Sequence, residues 1–149
     1  MRAVLQRVSS ASVQIEGKTV GVIEQGILVL LAAGEGDTDA DADWMVNKIA
    51  SLRFFSDEAG RMNLSVEDIG GAVLLVSQFT LYGDCRKGRR PSFVHSIEPV
   101  EASRLVDRVR EGLLGRGLPV ETGQFGAMMQ VALVNEGPVT LIVDSPAKG

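Results

Sequence analysis

The sequence has few of the side chains that most enzymes use for chemistry. It contains one cysteine, Cys85, and one histidine, His95, among 149 residues. A single cysteine excludes a disulfide within the chain and fits a reducing compartment. One histidine and one cysteine cannot build a zinc site within the chain without several carboxylates. The HExxH, CxxC and GxxxxGK[ST] motifs are absent as well, so we expect neither a metal nor another cofactor.

Long apolar runs are also lacking. The runs at 27–33 and 72–76 are far shorter than the roughly 20 residues that span a bilayer. The N-terminal residues MRAVLQRVSS alternate in the manner of a strand and lack the apolar core of a signal peptide. We therefore expect a cytoplasmic protein with no membrane partner.

The composition favours one folded domain spanning residues 1–149. Hydrophobic residues make up 45% and charged residues 23%, proportions that support a buried core in a chain of this length. The formal net charge of −4 argues against indiscriminate binding of nucleic acid through overall charge. It leaves room for a local basic site.

Hydrophobic periodicity predicts a β-rich chain with two helices between strands. One helix is predicted at Thr38–Leu52, where Thr38 and Asp41 resemble a capping box, and a second begins at Pro99 and ends by Gly115–Gly117. This order predicts a mixed α/β domain in which helices cover a sheet. The predicted strands are Arg2–Val8, Ser12–Ile15, Thr19–Ile23, Gly26–Ala33, Gly71–Ser77, Pro119–Thr122, Met129–Val134 and Val139–Val143.

Neither His95 nor Cys85 has the neighbours that a nucleophilic site requires. A catalytic triad would need His95 beside a hydroxyl or thiol and a carboxylate to orient it, and no spacing in the sequence indicates this. The G-x-S-x-G elbow of many esterases is absent too. Cations beside Cys85 can activate a thiol, yet an exposed loop residue is the simpler interpretation of both side chains.

The segment RKGRRPSF is the most basic part of an acidic chain. Its four cations could hold phosphates while Phe93 packs beneath them, or they could simply face solvent. The local reversal of charge favours a partner that carries phosphates. The cations are Arg86, Lys87, Arg89 and Arg90.

Polar residues follow a buried strand in the segment SQFTL, residues 77–81. Ligand groups in open α/β sheets tend to lie at the ends of such strands. Ser77, Gln78 and Thr80 would bring donors and acceptors to that edge of the sheet. From spacing alone, a strand that continues through polar residues to Tyr82 is the favoured interpretation.

The segment NEGPVT, residues 135–140, places a proline between two apolar β-rich flanks. Pro138 has no N–H, so it belongs at an edge, a bulge or a turn. Asn135 to Pro138 can form a four-residue turn between two strands. Local chemistry alone favours a trans peptide bond before Pro138.

Together these segments resemble the D-aminoacyl-tRNA deacylase family. The resemblance rests on SQFTL, RKGRRPSF, FGAMM and NEGPVT, with MRAVLQRVSSASV and MNLSVEDIGG, and it runs from Met1 to about Ser145. It implies a homodimer of three-layer β/β/α subunits with barrel-like sheets. It also implies hydrolysis of the ester that joins a D-amino acid, or mischarged glycine, to the terminal adenosine of tRNA.

The resemblance carries site roles onto particular residues. It implies that Phe79 and Thr80 line the reaction site with backbone N–H groups near the ester carbonyl, beside Ser77 and Gln78. It implies a cis Gly137–Pro138 peptide that enters the partner subunit as a gate against L-amino acids. Three further residues receive roles: Phe125 and Met129 in the adenosine pocket, and Arg7 as support for the partner's Gly-Pro segment.

The lack of catalytic side chains suggests how such a site works. A neighbouring ribose hydroxyl of the substrate can position or activate water, while the protein supplies position and oxyanion donors. Thr80 as a covalent nucleophile is a rival, although no base is placed to activate it. Two alternative functions are a non-catalytic RNA- or nucleotide-binding module and a conventional serine or cysteine esterase.

Overall fold

A computed structural model of the chain describes residues 1–147. In this part of the chain there are two α-helices and eight strands, with a short 3-10 turn at Phe79–Tyr82. Both helices were predicted from periodicity, whereas the short strands at Phe55–Ser56 and Met62–Leu64 were not. The helices are α1 (Asp39–Ser51) and α2 (Pro99–Gly115). The strands are β1 (Arg2–Ile15), β2 (Lys18–Ile23), β3 (Gly26–Ala32), β4 (Phe55–Ser56), β5 (Met62–Leu64), β6 (Ala72–Ser77), β7 (Val120–Thr122) and β8 (Gln130–Asp144).

Six strands form one mixed sheet. Strand β1 pairs antiparallel with β2 and β3 along one edge and with β8 along the other, and β6 joins β3 and β7 in parallel. The sheet curls until β2 approaches β7. A Cβ added to Gly21 would lie 3.0 Å from the carbonyl oxygen of Thr122, a tight contact that glycine avoids. The result is a nearly closed, barrel-like sheet.

The curled sheet separates two hydrophobic cores. Inside the curl, Leu28, Leu74 and Val76 pack with Val8 and Val13. On the outer face, alternate residues of the same strands pack beneath the helices, as Val29 and Leu75 do. Strands β3 and β6 are buried on both faces, and their sequences are accordingly apolar throughout except for Ser77 at the end of β6.

The two helices pack on one another and on the sheet. Helix α1 begins with the predicted capping box, in which the N–H of Thr38 donates to the Asp41 carboxylate at 2.8 Å. Glu98, which sequence analysis did not identify, caps α2 by accepting from the N–H groups of Val100 and Glu101 at 3.0 and 3.2 Å. One apolar stripe of α2 faces the core: it is buried at Ala102, Leu105, Val109 and Leu113 and half-buried at Val106.

Two strand predictions are wrong in the same way. Arg2–Val8 and Ser12–Ile15 belong to one strand, β1. The sequence does not reveal this continuity, because the exposed polar residues Ser9 and Ser10 interrupt the apolar pattern. The segments on either side of Gly137–Pro138 likewise belong to one strand, β8, and both halves pair with β1. The prediction of a four-residue hairpin turn at NEGPVT is therefore wrong.

A bulge replaces the predicted turn. Gln6 pairs with Thr140 and Val8 pairs with Asn135. Two steps along β1 thus correspond to five along β8, and three additional residues arch out of the ladder. A bulge is one of the few places at which a strand accommodates proline.

The mixed α/β prediction is confirmed, with a barrel-like sheet and two helices. The assignment of residues 1–149 to one domain stays a prediction. Within residues 1–147, no helix combines the length and the apolarity needed to cross a lipid bilayer.

Candidate active site

The SQFTL segment forms a turn at the carboxyl end of β6. The strand stops at Ser77, and residues Phe79–Tyr82 form a single 3-10 turn, so the predicted continuation to Tyr82 is wrong. The N–H of Gln78 donates to the carbonyl of Leu31 at 2.8 Å, and the N–H of Gly83 donates to the carbonyl of Thr80 at 2.9 Å. The first bond ties the turn to the end of the neighbouring strand β3, and the second closes the turn itself.

This turn leaves two backbone donors without an acceptor inside it. Phe79 and Thr80 are its first two residues, so their backbone N–H groups have no acceptor within the turn. The Gln78 side-chain amide donates to the Thr80 hydroxyl, which holds that side chain in place. The Phe79 ring is 56% exposed and meets Phe93 edge-on, with the ring centroids 5.2 Å apart. An exposed aromatic ring beside free N–H groups is suited to bind a polar ligand.

A cleft of about 270 Å³ opens next to the turn. It lies at the carboxyl ends of the parallel strands β6 and β7, where open α/β sheets bind ligands. Helix α2 forms its other wall. Its lining residues are Leu75, Ser77, Val106, Asp107, Arg110, Thr122, Gly123, Gln124 and Phe125.

The structure brings Phe125 to this cleft but not Met129. The sulfur of Met129 lies so close to Gly123 that a Cβ there would be 2.4 Å from it. Met129 packs from there against the core inside the curl. The polar residues Asp107, Arg110 and Gln124 line the cleft and were missed, because α2 presents as an ordinary amphipathic helix and no motif marks them.

Asn135 brackets the Gly-Pro bulge of β8. Its Oδ1 accepts from the N–H of Val139 at 2.7 Å, and its Nδ2 donates to the carbonyl of Val139 and the hydroxyl of Thr140, both at 3.1 Å. The Gly137–Pro138 bond is cis, as the resemblance implies and contrary to the expectation from local chemistry. Asn135 was missed, although asparagine commonly bonds to nearby backbone in turns.

Arg7 holds the same bulge from within its own chain. Its Nε donates to the carbonyl of Glu136 at 2.8 Å and its Nη1 to the carbonyl of Phe54 at 2.9 Å. Both Gly137 and Pro138 are exposed. Arg7 thus supports its own Gly-Pro segment, and a contact with the segment of a partner stays a prediction.

The two motifs are held at different points of β1. Arg2 donates through Nη1 to the carbonyl of Leu81, in the 3-10 turn, at 3.1 Å, whereas Arg7 holds the bulge at Glu136. Five positions of extended strand separate Arg2 from Arg7, which is about 16 Å. The two segments are thus anchored at points of β1 about 16 Å apart.

The basic segment forms a loop closed at its base. Asp84 and Ser92 exchange backbone hydrogen bonds of 2.7 and 2.9 Å. The Asp84 carboxylate also accepts from the guanidinium of Arg86 at 2.7 and 2.9 Å, and this pairing lowers the pKa of Asp84 to about 2. Arg86 is therefore partly neutralised, which weakens its case as a phosphate contact. All four cations are exposed, and the other three are Lys87, Arg89 and Arg90.

His95 and Cys85 lie in the same exposed region. The His95 ring is about 4.0 Å from a Glu35 carboxylate, and both side chains face solvent. Cys85 is exposed at the start of the basic loop. Both positions agree with the interpretation as loop residues.

Tyr82, at the end of the 3-10 turn, is partly buried. This burial raises the pKa of its hydroxyl above the ordinary value.

Comparisons with known proteins agree with the geometry. The family model described as D-Tyr-tRNA(Tyr) deacylase matches residues 4–144. The D-aminoacyl-tRNA deacylase of Myxococcus xanthus (strain DK1622) is 60% identical over 146 residues, which cover 98% of this chain and 95% of that protein.

Two solved structures share the fold. One, described as a c-Myc DNA unwinding element binding protein, is 40% identical with a TM-score of 0.92 and covers 99% of this chain and 100% of its own. Another, a probable eukaryotic D-amino acid tRNA deacylase, is 20% identical with a TM-score of 0.84 and covers 96% and 98%. From the family match over nearly the whole length and the 60% identity to a relative, the chain belongs to the D-Tyr-tRNA(Tyr) deacylase family.

Proposed function

We propose that the protein hydrolyses the ester of D-aminoacyl-tRNA and releases the D-amino acid and free tRNA. The observation that carries this proposal is the cleft of nucleoside size, which is lined by Ser77, the first residue of the SQFTL segment. The 60% identity to a D-aminoacyl-tRNA deacylase supports the substrate class. Incubating the purified protein with D-charged and L-charged tRNA tests it directly.

The N–H groups of Phe79 and Thr80 stabilise the developing oxyanion. Water adds to the ester carbonyl carbon, and the carbonyl oxygen acquires negative charge. The C–O bond to the ribose then breaks, and the proton lost by the water passes to the departing ribose oxygen. Donors fixed in advance are most effective for such a step, because they need no reorganisation as charge develops. The tie between Gln78 and Leu31 gives the turn this rigidity.

The ribose 2′-hydroxyl of the substrate orients or activates the attacking water. The lone histidine, His95, is an exposed loop residue with Glu35 as its charged neighbour. The Thr80 hydroxyl accepts a hydrogen bond from Gln78, an amide that cannot act as a base. These contacts favour assistance by the RNA over attack by Thr80.

The Gly137–Pro138 segment reads the handedness of the amino acid. Its main chain is exposed at the crest of the bulge, where Asn135 and Arg7 hold it from both sides. A rigid main-chain wall near the α-carbon clashes with the side chain of one enantiomer only. Glycine has no side chain to reject, so glycyl-tRNA is also a substrate.

The segment acts on the cleft of a second copy in a homodimer. Arg2 and Arg7, which hold the two motifs, are about 16 Å apart along β1 of one chain, and this spacing favours contact between motifs of different chains. Among the strands at residues 1–147, β8 pairs with β1 alone and so leaves an edge open. An unpaired edge beside exposed apolar side chains favours association. Two exposed apolar residues, Val134 and Ile142, lie on β8 itself.

The rest of the tRNA binds around this centre. Phe125, on the wall of the cleft, stacks on the terminal adenine, with Met129 behind Gly123 as support. The exposed cations Lys87, Arg89 and Arg90 contact phosphates. Arg86 contributes less, because Asp84 already occupies its guanidinium.

The alternative is a nucleic-acid-binding module without catalysis. One observation favours it: a protein described as binding a DNA unwinding element is 40% identical to this chain. The two functions differ in one readout, because only the deacylase releases a D-amino acid from charged tRNA. Covalent labelling of Ser77 or Cys85 by an electrophilic ester probe would instead indicate a conventional esterase.

A further inference from the structure

We propose that the chain has a second nucleotide site, which takes the nucleotide preceding the terminal adenosine of the RNA. The proposal rests on the function above, since it assumes that the terminal adenosine occupies the cleft. The site is an open groove of about 510 Å³ that adjoins the cleft. Its lining residues are Pro99, Val100, Ser103, Arg104, Asp107 and Phe125.

The course of an RNA chain leads from the cleft into this groove. Asp107 and Phe125 line both the cleft and the groove, whereas Ser77 lines the cleft and not the groove. The ester lies at the end of the RNA and reacts beside Ser77, so the preceding nucleotides must leave by another part of the cleft. Val100 and Asp107 are seven positions apart on α2, about 10 Å along the helix, which is room for one nucleoside.

The surface of the groove suits a nucleobase. Val100 is 75% exposed and Phe125 is 39% exposed, and Pro99 beside them is exposed as well. Apolar and aromatic side chains bind the flat faces of unpaired bases with little dependence on sequence. A single-stranded end of RNA presents such faces, and burying them covers apolar area on both partners.

Arg110 can hold the phosphate that joins the two nucleosides. It lines the cleft one helical turn from Asp107 and uses only Nη1 on a carboxylate, that of Glu111, at 2.8 Å. Its remaining N–H groups are available for the phosphate. Arg104, in the groove, is occupied by contrast, since it donates to Asp39 and Glu101 at 2.6 Å each.

Two substrates distinguish a test of this second site from a test of the proposed reaction. D-aminoacyl-tRNA carries the preceding nucleotide, and D-aminoacyl-adenosine does not. We expect Val100→Ser to lower kcat/KM for the tRNA about fivefold by loss of apolar contact and to leave kcat/KM for the adenosine ester unchanged. Leu114→Ser, at the other end of α2 with a side chain 38% exposed, is the matched control and leaves both values unchanged.

A binding measurement checks the site without catalysis. Wild-type protein should bind the dinucleotide CpA more tightly than adenosine, and Val100→Ser should remove that advantage. Equal loss on both substrates, or no loss on either, overturns the second site. A change of oligomeric state in Val100→Ser also overturns it, because the groove would then be covered by another copy. If the wild-type protein were inactive on both substrates, the proposed reaction would be refuted. The CpA measurement would still show whether the groove binds a nucleotide.

Discussion

Asn135 and Val139 are joined by two hydrogen bonds across the Gly-Pro bulge. The Asn135 amide accepts from the N–H of Val139 at 2.7 Å and donates to its carbonyl at 3.1 Å. One side chain thus replaces the ladder bonds that the arched residues cannot make with β1. The shape of the bulge depends on an amide group, because only an amide both donates and accepts here.

Replacing that amide should loosen the bulge. We expect Asn135→Ala to reduce the ratio of D- to L-deacylation and to lower the free energy of unfolding by about 1–2 kcal/mol, the usual cost of such bonds. Chemical denaturation and single-turnover assays measure the two effects. Asn63→Ala, at an exposed position of β5, is the control. An unchanged enantiomer ratio would show that the Asn135 bonds are unnecessary for selection.

Gly137 leaves no room for a side chain. A Cβ there would lie 2.8 Å from the N and Cγ2 of Val139 and 3.2 Å from Nη2 of Arg7, at a φ of +150° that favours glycine. We expect Gly137→Ala to lower kcat/KM for D-aminoacyl-tRNA about tenfold, or ~1.4 kcal/mol.

The matched control is Gly115→Ala at the end of α2, where an added Cβ meets nothing within 4 Å. It should retain full activity. If Gly137→Ala cleaved D-charged tRNA as fast as the wild type, the segment could not be the chiral gate.

Two mechanisms can be distinguished by experiment: assistance by the 2′-hydroxyl of the RNA, and direct attack by the Thr80 hydroxyl. We expect a tRNA ending in 2′-deoxyadenosine, charged at its 3′-hydroxyl, to lose at least about 100-fold in rate, a typical loss when one positioned acid–base group is removed. Thr80→Val keeps the backbone N–H and should retain most of the rate. The reverse pattern, with full activity on the deoxy substrate and none for Thr80→Val, would establish Thr80 as the nucleophile.

Charge on the basic loop should govern the salt dependence of tRNA binding. Replacing Lys87, Arg89 and Arg90 by glutamine should weaken binding and flatten the plot of log Kd against log salt, because fewer counterions are released. Arg86→Gln should have less effect, since Asp84 already pairs with that guanidinium. A triple variant with the wild-type slope would exclude the loop from the tRNA interface.

Sequence patterns anticipated the elements whose periodicity is uninterrupted. Strands β3 and β6 and helix α1 lie within one or two residues of their predicted bounds. The failures came where polar residues hide continuity, as at Ser9–Ser10 in β1, or where an insertion mimics a turn, as at Gly137–Pro138. Local chemistry cannot tell a bulge from a hairpin, because the choice depends on which strand the flanks pair with.

The site was predictable in its motifs and not in its walls. SQFTL and GPVT stand out as short segments, and the resemblance gave them roles. Asp107 and Arg110 approach Phe125 only because α2 packs across the ends of β6 and β7. Their spacing on α2 is that of any exposed helix face, so no local signal marks them.

The most direct test of the account compares the two enantiomers on one tRNA. The same amino acid is attached in D and L form, and kcat/KM for release is measured with purified wild-type protein. The account predicts that the D-ester is cleaved at least about 100-fold faster than the L-ester, a discrimination that steric rejection by a rigid wall can supply. Equal cleavage of both forms, or no release from the D-ester, would contradict it.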